Sequence, residues 1–303
     1  MKKIPCDTDF DLEAHSETII LDHLKERPRA GKMWELITGD PEIVTGWQMA
    51  NFVAAQKLGM NDHGRTHVTV ATASALTLLD LLEGSAFVPD IVAGGFGDRD
   101  DAALVVMTAM LFHDLGNMVH REDHADLSVV LAQPVLDRLL PRIYEDPEKR
   151  TAIRAFILSA IYSHHGVPKP LTVEAAIVCI ADSTDMTKGR GRVAFESGSI
   201  TIHSVSALSI ERVEIQKGRE KPIELLIHMS SPAGIFQVQE ILAPKVLAGP
   251  LAGAVDVIAV TDGKTGEKRE IVSGIRLQGA KFVPYDRNAK KPAAGRGKTH
   301  KRY

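Results

Sequence analysis

Residues 111–124 read LFHDLGNMVHREDH. A histidine and an aspartate stand side by side at His113 and Asp114, and two more histidines follow at His120 and His124. Histidine is uncommon in this chain, with 12 among 303 residues. Imidazole and carboxylate groups cost free energy to bury unless something binds them. The stretch therefore predicts a binding site at the end of an apolar helix.

Helical periodicity extends on both sides of this stretch, from about residue 45 to about residue 188. The segment that leads into it, DDAALVVMTAMLFHDLG, is almost entirely apolar and predicts a buried helix. Asp62 fits the N-cap of an earlier helix, and Pro147 fits the first turn of a later one. The other predicted helices read GWQMANFVAAQKLGM, HGRTHVTVATASALTLLDLLEGS, HADLSVVLAQPVLDRLL, PEKRTAIRAFILSAIYSHHG and PLTVEAAIVCIADSTDM.

The periodicity changes at about residue 195. Alternating or β-branched segments predict strands there, and GIFQVQEILAPKVLAG predicts one helix packed on an antiparallel or mixed sheet. The final stretch, KFVPYDRNAKKPAAGRGKTHKRY, is basic and rich in proline and glycine, which predicts a disordered tail. The predicted strands read SITIHSV, LSIERVEIQ, IELLIHMS, AVDVIAVTDG and EKREIVSGI.

These patterns predict a mainly α-helical bundle followed by a small α+β C-terminal domain. The polar residues of the C-terminal domain, such as His203, His228, Glu240 and Asp256, show no ligand spacing. We therefore expect this domain to serve substrate selection or dimerisation, so a homodimer is possible. The expected parts are an N-terminal helical extension (1–44), the helical domain that contains the opening stretch (45–194), the α+β domain (195–285) and the basic tail (286–303).

The composition indicates a soluble globular protein. The chain is 44% hydrophobic and 25% charged with a formal net charge of -3, which gives no general attraction to nucleic acid or membranes. No apolar run approaches the roughly 18 residues of a membrane span, and MKKIPCDTDFDLEAH lacks the apolar core of a secretory signal. Cys6 and Cys179 form no metal-like pair. We expect a reduced, cytoplasmic protein.

Histidines gather at the ends of the predicted helices. Two pairs, His63 with His67 and His120 with His124, are four residues apart and would share a helix face. Asp182 lies within the apolar segment IVCIADSTD, where an unpaired carboxylate is costly to bury. Seven of the 12 histidines fall in this region, namely His63, His67, His113, His120, His124, His164 and His165.

A divalent metal centre would explain these residues together. Imidazole nitrogen and carboxylate oxygen are common ligands of Mn, Fe, Co, Ni and Zn. A single buried histidine is more often a hydrogen-bonded core residue than a ligand, and a His-Asp dipeptide also occurs by chance. Seven histidines with Asp114 and Asp182 at the ends of apolar helices favour metal binding over that alternative.

The order of these residues resembles the HD superfamily of metal-dependent phosphohydrolases. The matching residues are His67 in NDHGRTHV, His113 and Asp114 in FHDLGN, and Asp182 in CIADSTD. The resemblance spans roughly residues 45–190. It implies a helical domain that hydrolyses phosphate esters with a metal-activated water.

Members of this superfamily with a larger site also resemble the chain. They hold two metals and add histidines, including a consecutive pair that His164 and His165 match, and an intermediate one that His124 or His120 matches. The branch that hydrolyses cyclic dinucleotides has a lysine where Asn117 stands here, and a Gly-Tyr-Pro triplet that this chain lacks after His165. We therefore do not expect a cyclic dinucleotide substrate.

The resemblance also implies roles for individual residues. His67, His113, Asp114 and Asp182 would hold the first ion. Asp114, the central catalytic carboxylate, would bridge to a second ion held by His124, His164 and His165. His63 would orient His67 or join a further metal.

Other residues have roles that the sequence leaves open. His120 is a metal ligand, a catalytic proton donor or a surface residue, because helix phase alone does not rank these roles. Arg121, Lys188 and Arg190, with Arg192, would bind the substrate phosphate, Lys188 and Arg190 also assisting catalysis. The KGRGR segment could equally be a solvated linker. Asp185 either faces the site or caps a helix.

Two classes of function compete at this point. The first is a metal-dependent phosphohydrolase that cleaves a phosphomonoester or phosphodiester, such as a nucleotide. The second is a regulatory module that binds a phosphorylated ligand at the metal site without turnover. The enzyme is favoured because no expected ligand is missing. A nucleic-acid phosphodiesterase has only the basic tail in its support.

Overall fold

The computed structural model describes residues 9–187, 202–261 and 274–285. The first of these three regions is helical. A π-helical turn at Phe52–Lys57 and 3₁₀ turns at Leu115–Met118 and Leu140–Arg142 extend or link these helices. The predicted helical bundle is confirmed. Its α-helices are α1 (Asp9–Leu24), α2 (Pro28–Thr38), α3 (Pro41–Asn51), α4 (Arg65–Leu81), α5 (Asp90–Ala93), α6 (Arg99–Phe112), α7 (His124–Leu139), α8 (Pro147–Tyr162) and α9 (Val173–Thr184).

Helix α6 lies at the centre of the bundle. A capping box fixes its start, since Asp98 accepts from the backbone N–H of Asp101 and Asp101 accepts from that of Asp98. Every residue from Asp101 to Phe112 is buried, as the apolar sequence predicts. The helix packs against α2, α4, α8 and α9. Its last turn therefore brings His113 to a point surrounded by other helices.

The N-terminal helices pack into the same bundle. Helix α1 lies against α4, and α2 lies against α6. Ile20 and Met33 are fully buried in the core that also contains Phe112. Trp47 of α3 donates its indole N–H to the carbonyl of Leu111 at 2.8 Å. Helices α2 and α3 thus contact α6 directly, and α1 supports it through α4.

The C-terminal domain is a five-stranded mixed sheet with helices, as the sequence indicates. The strands follow chain order across the sheet; β2 and β3 are parallel and the other neighbours are antiparallel. The connection from β2 to β3 is helical and includes a π-helical turn at Val238–Leu242. The elements are α10 (Ile202–Leu208), β1 (Ile210–Lys217), β2 (Ile223–Met229), α11 (Ile235–Gln237), α12 (Ala243–Ala248), β3 (Val255–Thr261), β4 (Gly274–Gln278) and β5 (Lys281–Pro284).

Two predictions for this domain are wrong. The described part of SITIHSV begins α10 instead of a strand, since Ser206 and Ala207 are buried there while Ile202 and Val205 are exposed. A helix is the conformation that turns these small residues inward. The stretch read as a tail begins with β5, which pairs with β4. Most of EKREIVSGI, and residues 286–303, lie outside the described residues.

The two domains share one hydrophobic core. Helix α12 and the π-helical turn pack against α9, and β1 contacts α4. Cys179 of α9 is buried and free, while Cys6 lies outside the described residues. Within the described ranges, no helix is long and apolar enough to cross a membrane. The C-terminal domain therefore sits beside the helix that carries Asp182.

Candidate metal centre

The first cluster of donor atoms combines residues from three helices. His67 lies in the first turn of α4, His113 and Asp114 follow α6, and Asp182 lies near the end of α9. His67 Nε2 is 3.3 Å from His113 Nε2 and 3.5 Å from Asp114 Oδ2. The same atom is 3.3 Å from Asp182 Oδ1. His113 Nε2 is 3.3 Å from Asp114 Oδ2 and 3.6 Å from Asp182 Oδ1. These four residues form the first cluster.

The spacing of the first cluster fits a single metal ion. Distances of about 3.3–3.6 Å are the edges of a tetrahedron whose corners lie about 2.0–2.2 Å from its centre, the length of zinc–nitrogen and zinc–oxygen bonds. The donor atoms suit several divalent metals. Helices α6, α8 and α9 also end here, and the carbonyl groups at helix C-termini favour cations. Geometry and charge both fit a divalent cation.

Three histidines share one ring orientation. In each, Nδ1 faces the backbone carbonyl of the residue three positions earlier. A carbonyl oxygen only accepts hydrogen bonds, so Nδ1 carries a proton and Nε2 is the nitrogen that faces the cluster. Metal-binding histidines are commonly fixed in this way. The pairs are His113 with Met110 at 2.7 Å, His124 with Arg121 at 2.9 Å and His164 with Ile161 at 2.7 Å.

A carboxylate orients the fourth histidine, His67. Its Nδ1 is 2.7 Å from Asp185 Oδ2, so Asp185 lies behind His67 at the site. The backbone N–H of His67 donates to Asp62 at 3.0 Å. The prediction of Asp62 as N-cap is wrong, because α4 begins at Arg65 after an N-cap at Gly64. Asp62 still satisfies a backbone donor in the first turn of the helix.

We expect Asp185→Ala to weaken metal binding by about 10- to 100-fold, because His67 loses the carboxylate that fixes its tautomer and ring plane. The measurement is a manganese titration of metal-free protein by calorimetry. Asp137→Ala is the matched control, since Asp137 lies on the surface of α7 and its side chain is 59% exposed. Equal affinity of the two variants would show that Asp185 does not support the site.

The second cluster consists of His124, His164 and His165. His124 begins α7, and the consecutive pair follows the end of α8. One ring nitrogen from each lies within 4.8 Å of the others, and His124 Nε2 is 2.9 Å from His165 Nε2. His124 and His164 are buried, whereas His165 reaches solvent. The second cluster is therefore open on one side.

Asp114 lies between the two clusters. Its Oδ2 faces His67 and His113, and its Oδ1 is 3.3 Å from His124 Nε2. Asn117 donates its amide N–H to the same Oδ1 at 2.8 Å, which fixes the carboxylate plane. Asp114 thus offers one oxygen to each cluster. Such an arrangement suits a carboxylate that bridges two ions.

A glycine allows α7 to come close to the end of α6. A Cβ on Gly116 would lie 2.0 Å from the carbonyl oxygen of His124 and 2.7 Å from the backbone nitrogen of Ser128. Ser128 Oγ accepts from the Gly116 N–H at 2.7 Å and donates to the His113 carbonyl at 2.7 Å. These contacts bring His124 beside Asp114.

The carboxylates give the first cluster a strongly negative potential. Burial alone would raise the pKa of Asp114 and Asp182, but positive neighbours, His113 for Asp114 and Lys245 for Asp182, hold both well below the usual range. Burial would also lower the pKa of His113, yet the two carboxylates raise it to about 10. The potential that holds a proton on His113 also attracts a metal cation.

Proton release is expected when metal binds. The pKa of His113 is about 10, above its ordinary 6.5, so its imidazole carries a proton at pH 7 that an ion must displace. Metal affinity should therefore rise about tenfold per pH unit between about pH 7 and 9. Calorimetry in two buffers of different ionisation enthalpy should show about one proton released per ion in the first cluster. No buffer dependence would contradict this expectation.

The histidines of the second cluster behave in the opposite way. Burial, followed by the nearby His165, lowers the pKa of His164 well below its ordinary value. Partial burial and the ammonium group of Lys245 lower the pKa of His165 to about 4. Both rings are therefore neutral at pH 7, which is the form of imidazole that binds metal.

A pocket of about 630 Å³ opens over both clusters. On the bundle side it is lined by His63, Asp114, Arg121 and residues that follow α8 and α9. The opposite wall belongs to the C-terminal domain. Its residues there are Ala207, Gln237, Glu240, Ile241, Pro244 and Lys245. The C-terminal domain thus contributes directly to the site.

Two histidines do not share a helix face with the histidines that were expected beside them. His63 precedes α4 and His120 precedes α7, so neither shares a helix face with the histidine four residues later. His63 is buried in the pocket wall, with its ring centre 5.9 Å from that of His67. His120 is exposed, and its Nδ1 accepts from the backbone N–H of Glu122. The structure does not bring His120 into either cluster.

Among the residues expected to bind phosphate, Arg121 lines the pocket. Its Nη1 lies 3.3 Å from His124 Nε2 and donates to Asn117 at 3.2 Å. Lys188, Arg190 and Arg192 lie outside the described residues.

Sequence reasoning missed two charged residues of the pocket, Lys245 and Glu240. Lys245 of α12 forms an ion pair with Asp182 Oδ2, on the side of the carboxylate that faces away from the first cluster. The two residues are 63 positions apart, and no local pattern connects them. Asn117 was also missed as the partner of Asp114, although the short distance between them in sequence makes that contact recognisable.

Known proteins are similar in sequence to this chain. The HD domain family matches residues 74–187, a range that contains His113, Asp114 and Asp182 and begins just after His67. An uncharacterised protein of Methanocaldococcus jannaschii is 37% identical over 227 residues, which cover 75% of this chain and 87% of that protein. This chain belongs to the HD-domain family. HD domains bind divalent metals and are generally hydrolases.

Two ribonucleases Y also match part of the chain. That of Nitratiruptor sp. is 26% identical over 113 residues, and that of Aliarcobacter butzleri is 26% identical over 117 residues. The matches cover 36% and 37% of this chain but only 19% and 20% of those proteins. No solved structure matches this HD-family chain. Family membership thus indicates a metal-dependent phosphohydrolase and leaves the substrate open.

Proposed function

We propose that this HD-family protein hydrolyses a small phosphate ester with two divalent ions, and that a nucleotide is the substrate class. The observation that carries the proposal is the position of Asp114. One of its oxygens faces the first cluster and the other faces His124 of the second. A chain that held a single ion would not need a second set of histidines on the far side of this carboxylate.

Each part of the site has a distinct role in this proposal. Bound ions would supply a water of lowered pKa and would neutralise charge on the phosphoryl oxygens. The first and second clusters would hold the ions, and Asp185 would fix the orientation of His67. Arg121 stands at the pocket wall, where its guanidinium can donate to a phosphoryl oxygen. Lys188 and Arg190, which follow α9 in sequence, are proposed as further phosphate ligands.

The pocket supports a small substrate. Its volume of about 630 Å³ falls in the range of about 300–1,000 Å³ typical of small-molecule sites. Leu58, Met60, Met186 and Ile241 give it apolar surface, and Gln237 adds an amide. These groups suit the flat, partly polar organic part of a nucleotide, while the clusters face its phosphate.

RNA cleavage is the second candidate function. It is favoured by the names of the two ribonucleases Y that match about a third of this chain. A metal site that cleaves a phosphodiester in a nucleotide would have the same chemistry available for an RNA strand. The two candidate functions differ in the substrate that the pocket accepts, a single nucleotide in the first and an RNA strand in the second.

Hydrolysis assays with metal-stripped protein test the proposal. Aryl phosphate monoesters and diesters, nucleotides and a labelled oligoribonucleotide are supplied with and without added manganese. We expect turnover of a small ester that disappears on chelation and returns with manganese. Cleavage of the oligoribonucleotide alone would favour the second candidate. No turnover of any compound by protein that carries two ions per chain would contradict hydrolysis.

A further inference from the structure

One cationic side chain in the pocket has no part in the two clusters. Lys245 lies in the first turn of α12, and its side chain is only 11% exposed. Its ammonium group pairs with Asp182 Oδ2, while Asp182 Oδ1 faces His67 and His113. Lys245 therefore stands on the outer side of a proposed metal ligand, at the surface of the pocket.

A lysine in this position opposes metal binding. Like charges repel, and the repulsion is stronger in a partly buried site than in water. Lys245 also pairs with Oδ2 of Asp182. Without this ion pair, both oxygens of the Asp182 carboxylate would be free to bind a metal. A site that only had to retain metal would be better served by a neutral donor at this position. An ammonium group is useful there when the ligand that binds over the metals is an anion.

The segment that precedes Lys245 contains a π-helical turn and lines the pocket. The π-helical turn at Val238–Leu242 precedes α12, and such turns occur frequently at functional sites. Gln237, Glu240 and Ile241 from this segment line the same pocket as Lys245. The α12 helix rests against α9, so the ammonium group is held at a fixed place relative to Asp182.

The charge of the lining indicates which anion fits best. Among the described residues, the pocket is lined by four carboxylates, Asp114, Asp182, Asp185 and Glu240, and by two cations, Arg121 and Lys245. Two divalent ions would leave this lining with two positive charges in excess. A phosphate monoester carries about two negative charges at neutral pH, since its second pKa is about 6. A diester carries one.

We propose that Lys245 is a substrate-binding residue that donates to the phosphoryl oxygens of a phosphomonoester dianion. The inference rests on the proposed function and narrows it to monoesters. On binding, the substrate oxygen takes the place of Asp182 as a partner of the ammonium group or shares it. The C-terminal domain thus completes the phosphate site of the bundle.

Lysine variants of the full chain test this role. Lys245→Met removes the charge and keeps the length of the side chain, whereas Lys245→Arg keeps the charge. Lys217→Met is the control, since Lys217 is exposed on β1 and lies outside the pocket lining. For each variant, KM and kcat are measured with an aryl phosphate monoester and with the matching diester. Manganese affinity and the binding of inorganic phosphate to manganese-loaded protein are measured by calorimetry.

We expect Lys245→Met to raise KM for the monoester and to weaken phosphate binding, each at least tenfold, while manganese binds as tightly as before or tighter. Lys245→Arg should recover most of both losses, and Lys217→Met should match the wild type. If Lys245 only positions Asp182, the Met variant will instead lose manganese affinity. That result would overturn the inference, as would unchanged KM and phosphate affinity, or a wild-type preference for the diester.

The test also separates this inference from the proposed function. A wild-type protein that turns over neither ester with manganese bound would refute hydrolysis, whatever the variants do. Metal-dependent turnover in the wild type with no change in Lys245→Met would refute the role of Lys245 alone. Circular dichroism identifies a variant that does not fold. If Lys245→Met does not fold, the phosphate affinity of Lys245→Arg is compared with that of the wild type. We expect the two affinities to agree, and a tenfold loss in Lys245→Arg would contradict the charge-based role.

Discussion

Replacing Asp114 by asparagine is expected to lower metal-dependent hydrolysis by at least about a thousandfold, which corresponds to about 4 kcal/mol of lost transition-state stabilisation. Asparagine keeps the size of the side chain but loses its negative charge and one of its two acceptor oxygens. Both oxygens are used here, since Oδ2 faces His67 and His113 and Oδ1 faces His124. The change therefore weakens both proposed ion sites at once.

The measurement combines steady-state hydrolysis with the metal content of the purified protein. Asp126→Asn is the control, because Asp126 is an exposed carboxylate in the first turn of α7. It should retain wild-type turnover and metal. Wild-type metal content and turnover in the Asp114 variant would refute the bridging role, and loss in both variants would point to a general effect on folding.

The second large effect is expected for Gly116→Ala. The new Cβ would lie 2.0 Å from the carbonyl oxygen of His124, a distance that real structures do not tolerate. The start of α7 must then move, which breaks the Ser128 hydrogen bonds to Gly116 and His113. We expect the free energy of unfolding to fall by about 3 kcal/mol or more. The second cluster should lose its ion because His124 moves away from Asp114.

Thermal unfolding and metal content measure these two effects. Gly31→Ala is the matched control, since the nearest atom to a Cβ on Gly31 is 3.9 Å away and Gly31 lies inside helix α2. Alanine at a free position inside a helix should stabilise the protein slightly. A Gly116 variant with wild-type stability and both ions would show that α7 can shift without cost.

The centre of the site could be predicted because it depends on local sequence. The apolar run that ends in His113 and Asp114 predicts a buried helix with polar groups at its end, and α6 has that form. The consecutive histidines before Gly166 follow the same logic at the end of α8. His113, Asp114 and His164 are buried at these helix ends, whereas His165 reaches solvent. The helix ends could thus be predicted from local sequence, but the exposure of His165 could not.

The prediction from helix phase was wrong for two histidines that precede their helices, His63 and His120. His63 and His67 would share a face only if the helix included both, but α4 begins at Arg65. His120 lies in the turn before α7 and points to solvent. The boundary of a helix depends on contacts around its first turn, such as that of Asp62 with the backbone N–H of His67, which the periodicity of apolar residues does not reveal.

Tertiary contacts account for the features that the sequence did not predict. Lys245 reaches Asp182 because α12 packs against α9, a contact between segments that no sequence spacing links. The segment SITIHSV, residues 199–205, predicts a strand, yet its described part lies in α10, where Ser206 and Ala207 are buried. Packing decided these features, and packing is not visible in a single sequence.

Crystals of the protein soaked in manganese provide the most direct test of the two-ion site, through the anomalous scattering of the metal. We expect two peaks, one about 2.0–2.3 Å from donor atoms of His67, His113 and Asp182, and one near His124, His164 and His165. Asp114 should contact both. Manganese at neither cluster, or a single ion held by other residues, would contradict the proposed metal centre.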